Sequence, residues 1–288
     1  MSQIPNWFVT QWDTAIRLEA SQKESRLAST VTDRGTVTGE SFTVNNLADD
    51  GALLDENTIR HGDTELSLET QTARIALMRD FYRATLLDRN DIPKMLVNPV
   101  TGGDYMKNMM SRKNRRIDDI IYQAARATVT MKDGTTTALP ATQKVAVGGT
   151  AFTKAKLIAT RKIFRRNEAD NYAGEELHIL YNDEMLEDIL SDTTLTSADY
   201  LAVKMLQEGD VSGKWMGFKW VPYNGIAKVG TDYFTIAYAK SGIHFGKGYE
   251  EGKVIQRGDK KDAWQVSMGA SYGAVRQDEK KVVEVAFL

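Results

Sequence analysis

The three histidines, His61, His178 and His244, stand far apart, and none belongs to an H-x-x-x-H or H-E-x-x-H pair. That spacing does not place two imidazoles on one helix face, so no metal site is expected. A structural role is the simpler reading for His61 in an exposed loop and for His178 on a strand. There is no cysteine, which removes disulfides, thiol nucleophiles and zinc–thiolate sites. The stretch Gly246-Lys247-Gly248-Tyr249-Glu250-Glu251-Gly252-Lys253 looks like a phosphate-binding loop, but its glycine spacing fails and Val254 stands where a magnesium-binding hydroxyl belongs. No G-x-S-x-G elbow occurs. Asp118 and Asp119 are adjacent on an expected helix and point in different directions, so they are not an acid–base couple. No catalytic residue and no cofactor is expected.

Charge pattern carries more than reactive chemistry does. From Gly39 to Ala73 there are eight acids (Glu40, Asp49, Asp50, Asp55, Glu56, Asp63, Glu65, Glu69) against one base, Arg60, or net −7. An expected helix over 105–127, with Asp104 as its N-cap, sets Lys107, Arg112, Lys113, Arg115, Arg116 and Arg126 against Asp104, Asp118 and Asp119, or net +3. Complementary surfaces of this kind steer and register partners more than they add affinity. Both are otherwise ordinary solvated faces.

The elements that must carry these charges follow from periodicity. Residues 34–79 read as two long strands, 36–44 and 64–70, around a polar, acidic loop. A two-stranded ribbon is marginal in water, so it must lie on something. If no other part of this chain covers it, the cover is a neighbouring copy. The helix over 105–127 would be about 35 Å long, with Met106, Met109, Met110, Ile117, Ile120, Ile121 and Ala124 as its buried face. Asp133-Gly134 between apolar stretches signals a hairpin.

An earlier helix is expected over 7–27, with Trp7, Phe8, Trp12, Ile16 and Leu27 as its stripe. From Phe152 an α/β lobe begins: a helix over 153–167 using Leu157, Ile158, Ile163 and Phe164, a strand over 176–181, helices capped by Asn182 and Ser197, and aromatic-rich strands over 214–222 and 233–238. Residues 253–287 are mostly strand.

The whole chain sets outer limits. Its 288 residues, 42% hydrophobic and 26% charged with 5 prolines, are enough for a substantial core. A net charge of −2 and pI near 6.0 do not advertise nucleic-acid binding over the whole surface, so any such contact must be local. The N-terminal residues lack a basic and apolar leader, and no apolar run approaches the ~20 residues of a membrane span. The chain is expected to be made in the cytosol.

The succession of N-terminal arm, polar β-arm, long basic helix with a D-G hairpin, inserted α/β lobe and returning strands resembles the major capsid protein of tailed bacteriophages. This is the Hong Kong 97-type fold shared with herpesviruses and encapsulins. The wording agrees: Ile4-Pro5-Asn6-Trp7-Phe8-Val9, Gln22-Lys23-Glu24-Ser25-Arg26-Leu27, Thr58-Ile59-Arg60-His61-Gly62-Asp63-Thr64, Met216-Gly217-Phe218-Lys219-Trp220, and Gly273-Ala274-Val275-Arg276 before Val282-Val283-Glu284-Val285. No single piece is a catalytic-grade motif; the likeness lies in their number and order.

The resemblance implies an α+β capsid fold with five parts. They are an N-terminal arm (1–33), an extended E loop (34–80), a peripheral domain (81–150) with spine helix 104–127 and hairpin 128–139, an axial domain (151–247), and return strands of the peripheral domain (248–288). Phe42, Val44, Asp49, Asp50, Asp55, Glu56 and Arg60 would then be intersubunit E-loop residues, with the acidic loop resting against the basic spine helix of its neighbour. Arg112, Lys113, Arg115 and Arg116 would form the helix's basic face. Implied partners are copies of the chain in hexamers and pentamers, a separate scaffolding protein, a portal, a decoration protein, and packaged double-stranded DNA contacted non-specifically, with no membrane. The chain would be assembled in the host bacterial cytoplasm and reside in the virion. Some relatives crosslink an E-loop lysine to an asparagine; here no lysine occurs between Lys23 and Lys94, so a non-covalent shell is expected.

The nearest rival is an encapsulin-type compartment. A nucleic-acid-binding protein acting through the basic helix leaves the β-arm unexplained. An enzyme in the 151–247 lobe would need a chemical activity that depends on His178.

Overall fold

The computed structural model describes residues 21–47, 70–90, 104–191 and 214–288. These fall into two compact units, one of 21–24, 80–90, 104–116 and 249–270, the other of 25–47, 70–79, 117–191, 214–248 and 271–288. These cuts do not follow the five expected parts. One falls inside the long helix after Arg116 and two inside the long strands near the C-terminus. A helix of 23 residues spans about 35 Å, more than one small core requires, so single elements supply residues to both units.

In chain order the elements are β1 Thr32–Thr36, β2 Ser41–Leu47, β3 Gln71–Leu77, β4 Arg79–Leu87, α1 Asp104–Arg126, β5 Val129–Met131, β6 Thr136–Thr137, β7 Lys144–Val145, α2 Lys154–Arg166, β8 Leu177–Tyr181, α3 Asp183–Ser191, β9 Lys214–Trp215, β10 Phe218–Pro222, β11 Ala227–Val229, β12 Asp232–Ala239, β13 Ile243–Arg257, β14 Ala263–Arg276 and β15 Val282–Phe287. Strands β7-β15-β12-β8-β10-β9 form a mixed sheet, with β11 added on β12. Two four-stranded sheets run β1-β13-β14-β4 and β2-β3-β5-β6.

The main core lies in the second unit. Leu177, Ile179 and Tyr181 alternate along β8 and meet Leu157 and Phe164 of α2, Met185 and Ile189 of α3, and Phe218, Trp220, Val283, Val285 and Phe287 of neighbouring strands. Their rings meet edge to face, Phe152 on Phe287 at 5.7 Å and Phe164 on Phe218 at 5.9 Å. Asn182 caps α3 as expected, accepting from Met185 N at 3.0 Å. Asp133 Oδ1 accepts from Thr135 N at 2.9 Å, and Gly134 takes φ +86°, closing the β5–β6 turn.

Several expectations are corrected. β2 pairs from Ser41↔Leu77 to Leu47↔Gln71 with β3, which was not among the expected strands; of the expected strand 64–70 only Thr70 is described, and it lies outside β3. Residues 21–27 are not helical, and Leu27 is buried ahead of a single 3-10 turn, Ala28–Thr30; Trp7, Phe8, Trp12, Ile16 and Ser197 lie outside the described residues. Met110 is 46% exposed and Ile158 49% exposed, so neither belongs to its helix's buried face. The glycine-rich 246–252 stretch, whose spacing fails as a phosphate loop, is strand, and its glycines allow close approach of the backbone. A Cβ on Gly246 would lie 2.8 Å from both Phe42 and Val37.

The expected single strand over 214–222 is a hairpin. Trp215 faces Phe218, which leaves Met216 (φ +53°) and Gly217 (φ +83°) as a two-residue turn of the I′ kind. Gly217→Ala is expected to cost about 1–2 kcal/mol through the left-handed backbone, read as a lower urea midpoint at unchanged slope. The accompanying approach to Arg161 Nη1, 2.7 Å from the new Cβ, adds little because a guanidinium can move.

Two buried charged groups hold α1. The Asp118 carboxylate, wholly inaccessible, accepts from Ser25 Oγ at 2.6 Å, Leu27 N at 3.0 Å and Arg26 N at 3.2 Å. At the C-terminal end of α1 Arg276, also wholly buried, donates to the carbonyls of Ala125 at 2.7 Å and Ala127 at 3.0 Å, orphan acceptors of the helix end.

Candidate assembly and polyanion surfaces

The ribbon is rooted in its own chain. Val44, with no exposed surface, packs with Ala76, Val129 and Val275, and Phe42 lies against the same cluster. Val44 is therefore a core residue of this chain and not a contact held out to a neighbour, a correction to the expected E-loop set, and the base of the ribbon is covered by β5 and by Val275 of β14. Alternation in the sequence signals a ribbon strand but does not name the element that covers it. Leu47 and Gln71 face each other at the end of the ladder, so the chain between them leaves and returns at one place. Asp49, Asp50, Asp55, Glu56, Arg60 and His61 lie outside the described residues.

The basic face of α1 is thinner than its formal charge suggests. Arg112 and Arg115 are exposed. Lys113 pairs with Glu250, and Arg116 lies 5.0 Å over the Phe81 ring. Arg126 pairs with Glu284 at 2.7 Å and stacks 4.9 Å over Phe234. Asp118 is buried and spent on the 25–27 segment. Counting charges along a sequence cannot see these ties.

Neither described histidine is arranged for catalysis. His244 engages both ring nitrogens: Nδ1 accepts from Arg34 Nε at 3.1 Å and Nε2 meets Gln277 Oε1 at 2.8 Å. His178 is buried, stacks on Tyr238 at 5.7 Å, and its Nδ1 has no partner. Burial, reinforced by the charge of Lys240, pushes its pKa down to about 4. The folded chain therefore binds fewer protons here than the unfolded chain. Its stability should fall by about 3 kcal/mol as pH drops from roughly 6.5 to the folded value, with no further change below. His178→Phe, which keeps the stack, should flatten melting temperature against pH across that window.

The surface that sequence reading passed over is α2. It carries Lys154, Lys156, Arg161, Lys162, Arg165 and Arg166 with no acid in 13 residues. A charge count over the segment is the signal that finds it, since its apolar residues show only the buried face. Lys156 is buried and donates to Thr150 O at 2.6 Å, and burial pushes its pKa down. Lys154, Lys162, Arg165 and Arg166 are exposed. Ile158, Arg161, Lys162, Arg165, Arg166 and Met216 line an open groove of about 450 Å³. Among the described residues no cluster of three His, Asp or Glu side chains could hold a metal ion, and no helix is long and apolar enough to cross a membrane.

The long helix, the rooted β-arm and the mixed α/β lobe are arranged as in solved phage capsids of the Hong Kong 97-like fold. The Mycobacterium phage Che8 structure matches with TM-score 0.73 at 15% identity over 98% of each chain. The Cyanophage Pam1 capsid asymmetric unit matches with TM-score 0.72 at 11% identity, covering 99% of this chain and 98% of that one. The capsid of a native GTA particle matches with TM-score 0.69 at 13% identity, covering 98% and 96%. No curated protein matches the sequence. The phage capsid protein family model matches residues 4–288, and the chain belongs to that family. It is a virion protein that forms the shell of a phage head, and a cellular nanocompartment is not favoured.

Proposed function

We propose that copies of this chain close into hexamers and pentamers of an icosahedral shell held without covalent crosslinks, built on a separate scaffold and portal and enclosing double-stranded DNA. The observation that carries the non-covalent reading is the absence of lysine between Lys23 and Lys94, which leaves the ribbon segment without an amine nucleophile. The chain acts as a building block and not as a catalyst. Supporting this, His178 is sealed from solvent and His244 has both nitrogens engaged.

The ribbon reaches a neighbouring copy through its acidic 48–69 segment, since Phe42 and Val44 serve at its root. Exposed Arg112 and Arg115 are the receiving charges that α1 retains.

Electron microscopy of the expressed full chain, alone and with its genomic neighbours, tests the assembly. Uniform polyhedral shells, sheets or tubes are expected, and a persistent monomer or dimer even with a scaffold would sink the reading. On a boiled denaturing gel, mature particles should run as a single band near 32.2 kDa; a ladder of covalent oligomers would refute the non-covalent shell.

A further inference from the structure

We propose that the outer face of α2, rather than the long helix α1, is where this shell protein holds the sugar–phosphate backbone of nucleic acid. The inference rests on the reading of the chain as a shell around DNA and assigns the place of contact.

Local charge points there first. Six of the 13 residues of α2 are cationic and none is acidic, in a chain whose net charge is −2. Among the described residues, exposed Lys154, Lys162, Arg165 and Arg166 have no carboxylate partner. On α1, by contrast, Lys113 and Arg126 are paired within the chain.

The arrangement also works against the helix that carries it. Arg161 and Arg165, and Lys162 and Arg166, are like charges four residues apart, each pair destabilising by a few tenths of a kcal/mol. Lys154 and Lys156 crowd the positive end of the helix dipole, and the first turn of α2 holds no acid of its own. Folding does not account for the exposed cations of this row, Lys154, Lys162, Arg165 and Arg166, whereas an external polyanion relieves their repulsion.

Shape agrees with a nucleic-acid strand. Ile158, Met216 and the methylene stems of the Arg and Lys side chains make an apolar floor suited to deoxyribose edges, with the charged heads at the rim for phosphates. The rim is organised in advance: Arg161 donates to Asn171 Oδ1 at 2.6 Å and lies 5.9 Å over Phe218, while Arg165 lies 5.6 Å over Tyr172, which is 86% exposed. Glu168 and Asp170, lining the next depression beside Arg165, mark the edge of the cationic field. An acidic protein segment would feel the same attraction. The groove is open, though, and offers no enclosed pocket for the anchoring side chain such a partner uses.

The test measures binding of the full-length chain to a labelled 20-bp duplex over a potassium chloride series. Each lost phosphate contact lowers the log–log salt slope by about 0.9. Lys162→Gln/Arg165→Gln/Arg166→Gln should lower the slope by about 2–3 and weaken binding about tenfold or more, while Arg112→Gln/Arg115→Gln should change it by less than about 1. Lys154→Gln/Lys162→Gln, which leaves the Arg161 and Arg165 contacts in place, should lower it by about 1–2 and guards against a folding failure of the triple variant. Unchanged slopes in both α2 variants would overturn the proposal. So would a larger effect from the α1 pair, or loss of shells by the triple variant with its slope intact, which would make α2 a contact between protein subunits. Absence of shells from the unsubstituted chain would count against the shell reading alone, since the slopes are read on free protein.

Discussion

Replacing Arg276 with Met should lower the unfolding free energy of the subunit by about 3–5 kcal/mol, the usual cost of removing one partner from a buried charged network. At about 2–4 °C per kcal/mol for chains of this size, the melting temperature drops by roughly 10 °C. Among the described residues Arg276 ranks first by volume of the wholly buried side chains, and its fork ties three parts of the chain together. It closes the end of α1 through Ala125 and Ala127, reaches Thr137 O at 3.4 Å, and lies 3.4 Å from Glu279. Glu279 is in turn clamped by both amino groups of Arg74 at 2.7 and 2.5 Å. Met fills the volume but leaves those carbonyls without donors. Arg276→Lys keeps the charge yet cannot reach all of them, and should recover less than half the loss. A Met variant within about 1 kcal/mol of the original would mean that water replaces the guanidinium at the helix end.

The same network has an acid limit. Burial would push the Glu279 carboxyl up, but the Arg74 hydrogen bond and the charges of Arg74 and Arg276 outweigh it and hold its pKa below the ordinary carboxylate value. The carboxylate's stabilisation is therefore present above about pH 4.3 and is lost as pH falls through the lower, folded value. That loss lies at or below the low end of the His178 window.

Asp118→Ala should cost about 4 kcal/mol, from three hydrogen bonds to a buried carboxylate, and its most specific readout is proteolysis. Ser25, Arg26 and Leu27 are held by that one side chain, with Arg26 adding a bond to Pro222 O at 2.9 Å. Freed of it, the bond after exposed Arg26 should be cut by trypsin many times faster than in the original chain. Asp118→Asn should fall between the two, because its amide oxygen still accepts from Ser25 Oγ and Leu27 N while its NH2 opposes the Arg26 N–H. Equal cutting rates in all three proteins would show that the burial of Leu27, not the carboxylate, fixes the segment.

Much of this protein was legible in residue order alone. Period 3.6 in α1 and α2, period 2 in β8 and β12, the Asp133-Gly134 turn and the Asn182 cap are local signals, since side chains a few positions apart decide them. The histidine spacing, the missing cysteine and the lysine-free ribbon likewise needed no fold, because they concern which chemistry the chain carries at all.

Tertiary structure decided which of those residues are free to act. Asp118 reads as a surface acid on a basic helix, yet it is consumed by residues 91 to 93 positions earlier. Arg126 reads as part of a basic face, yet it is tied to Glu284, 158 positions later. Val44 reads as an outward arm residue, yet it packs beneath Val129 and Val275. The cations of α2 gain their meaning only because the fold buries Leu157 and Phe164 and turns Lys162, Arg165 and Arg166 outward, with no ion pair to a described carboxylate. Periodicity reports a neighbour three or four residues away, whereas pairing across a hundred residues depends on which strands lie side by side. Only the packed chain settles that.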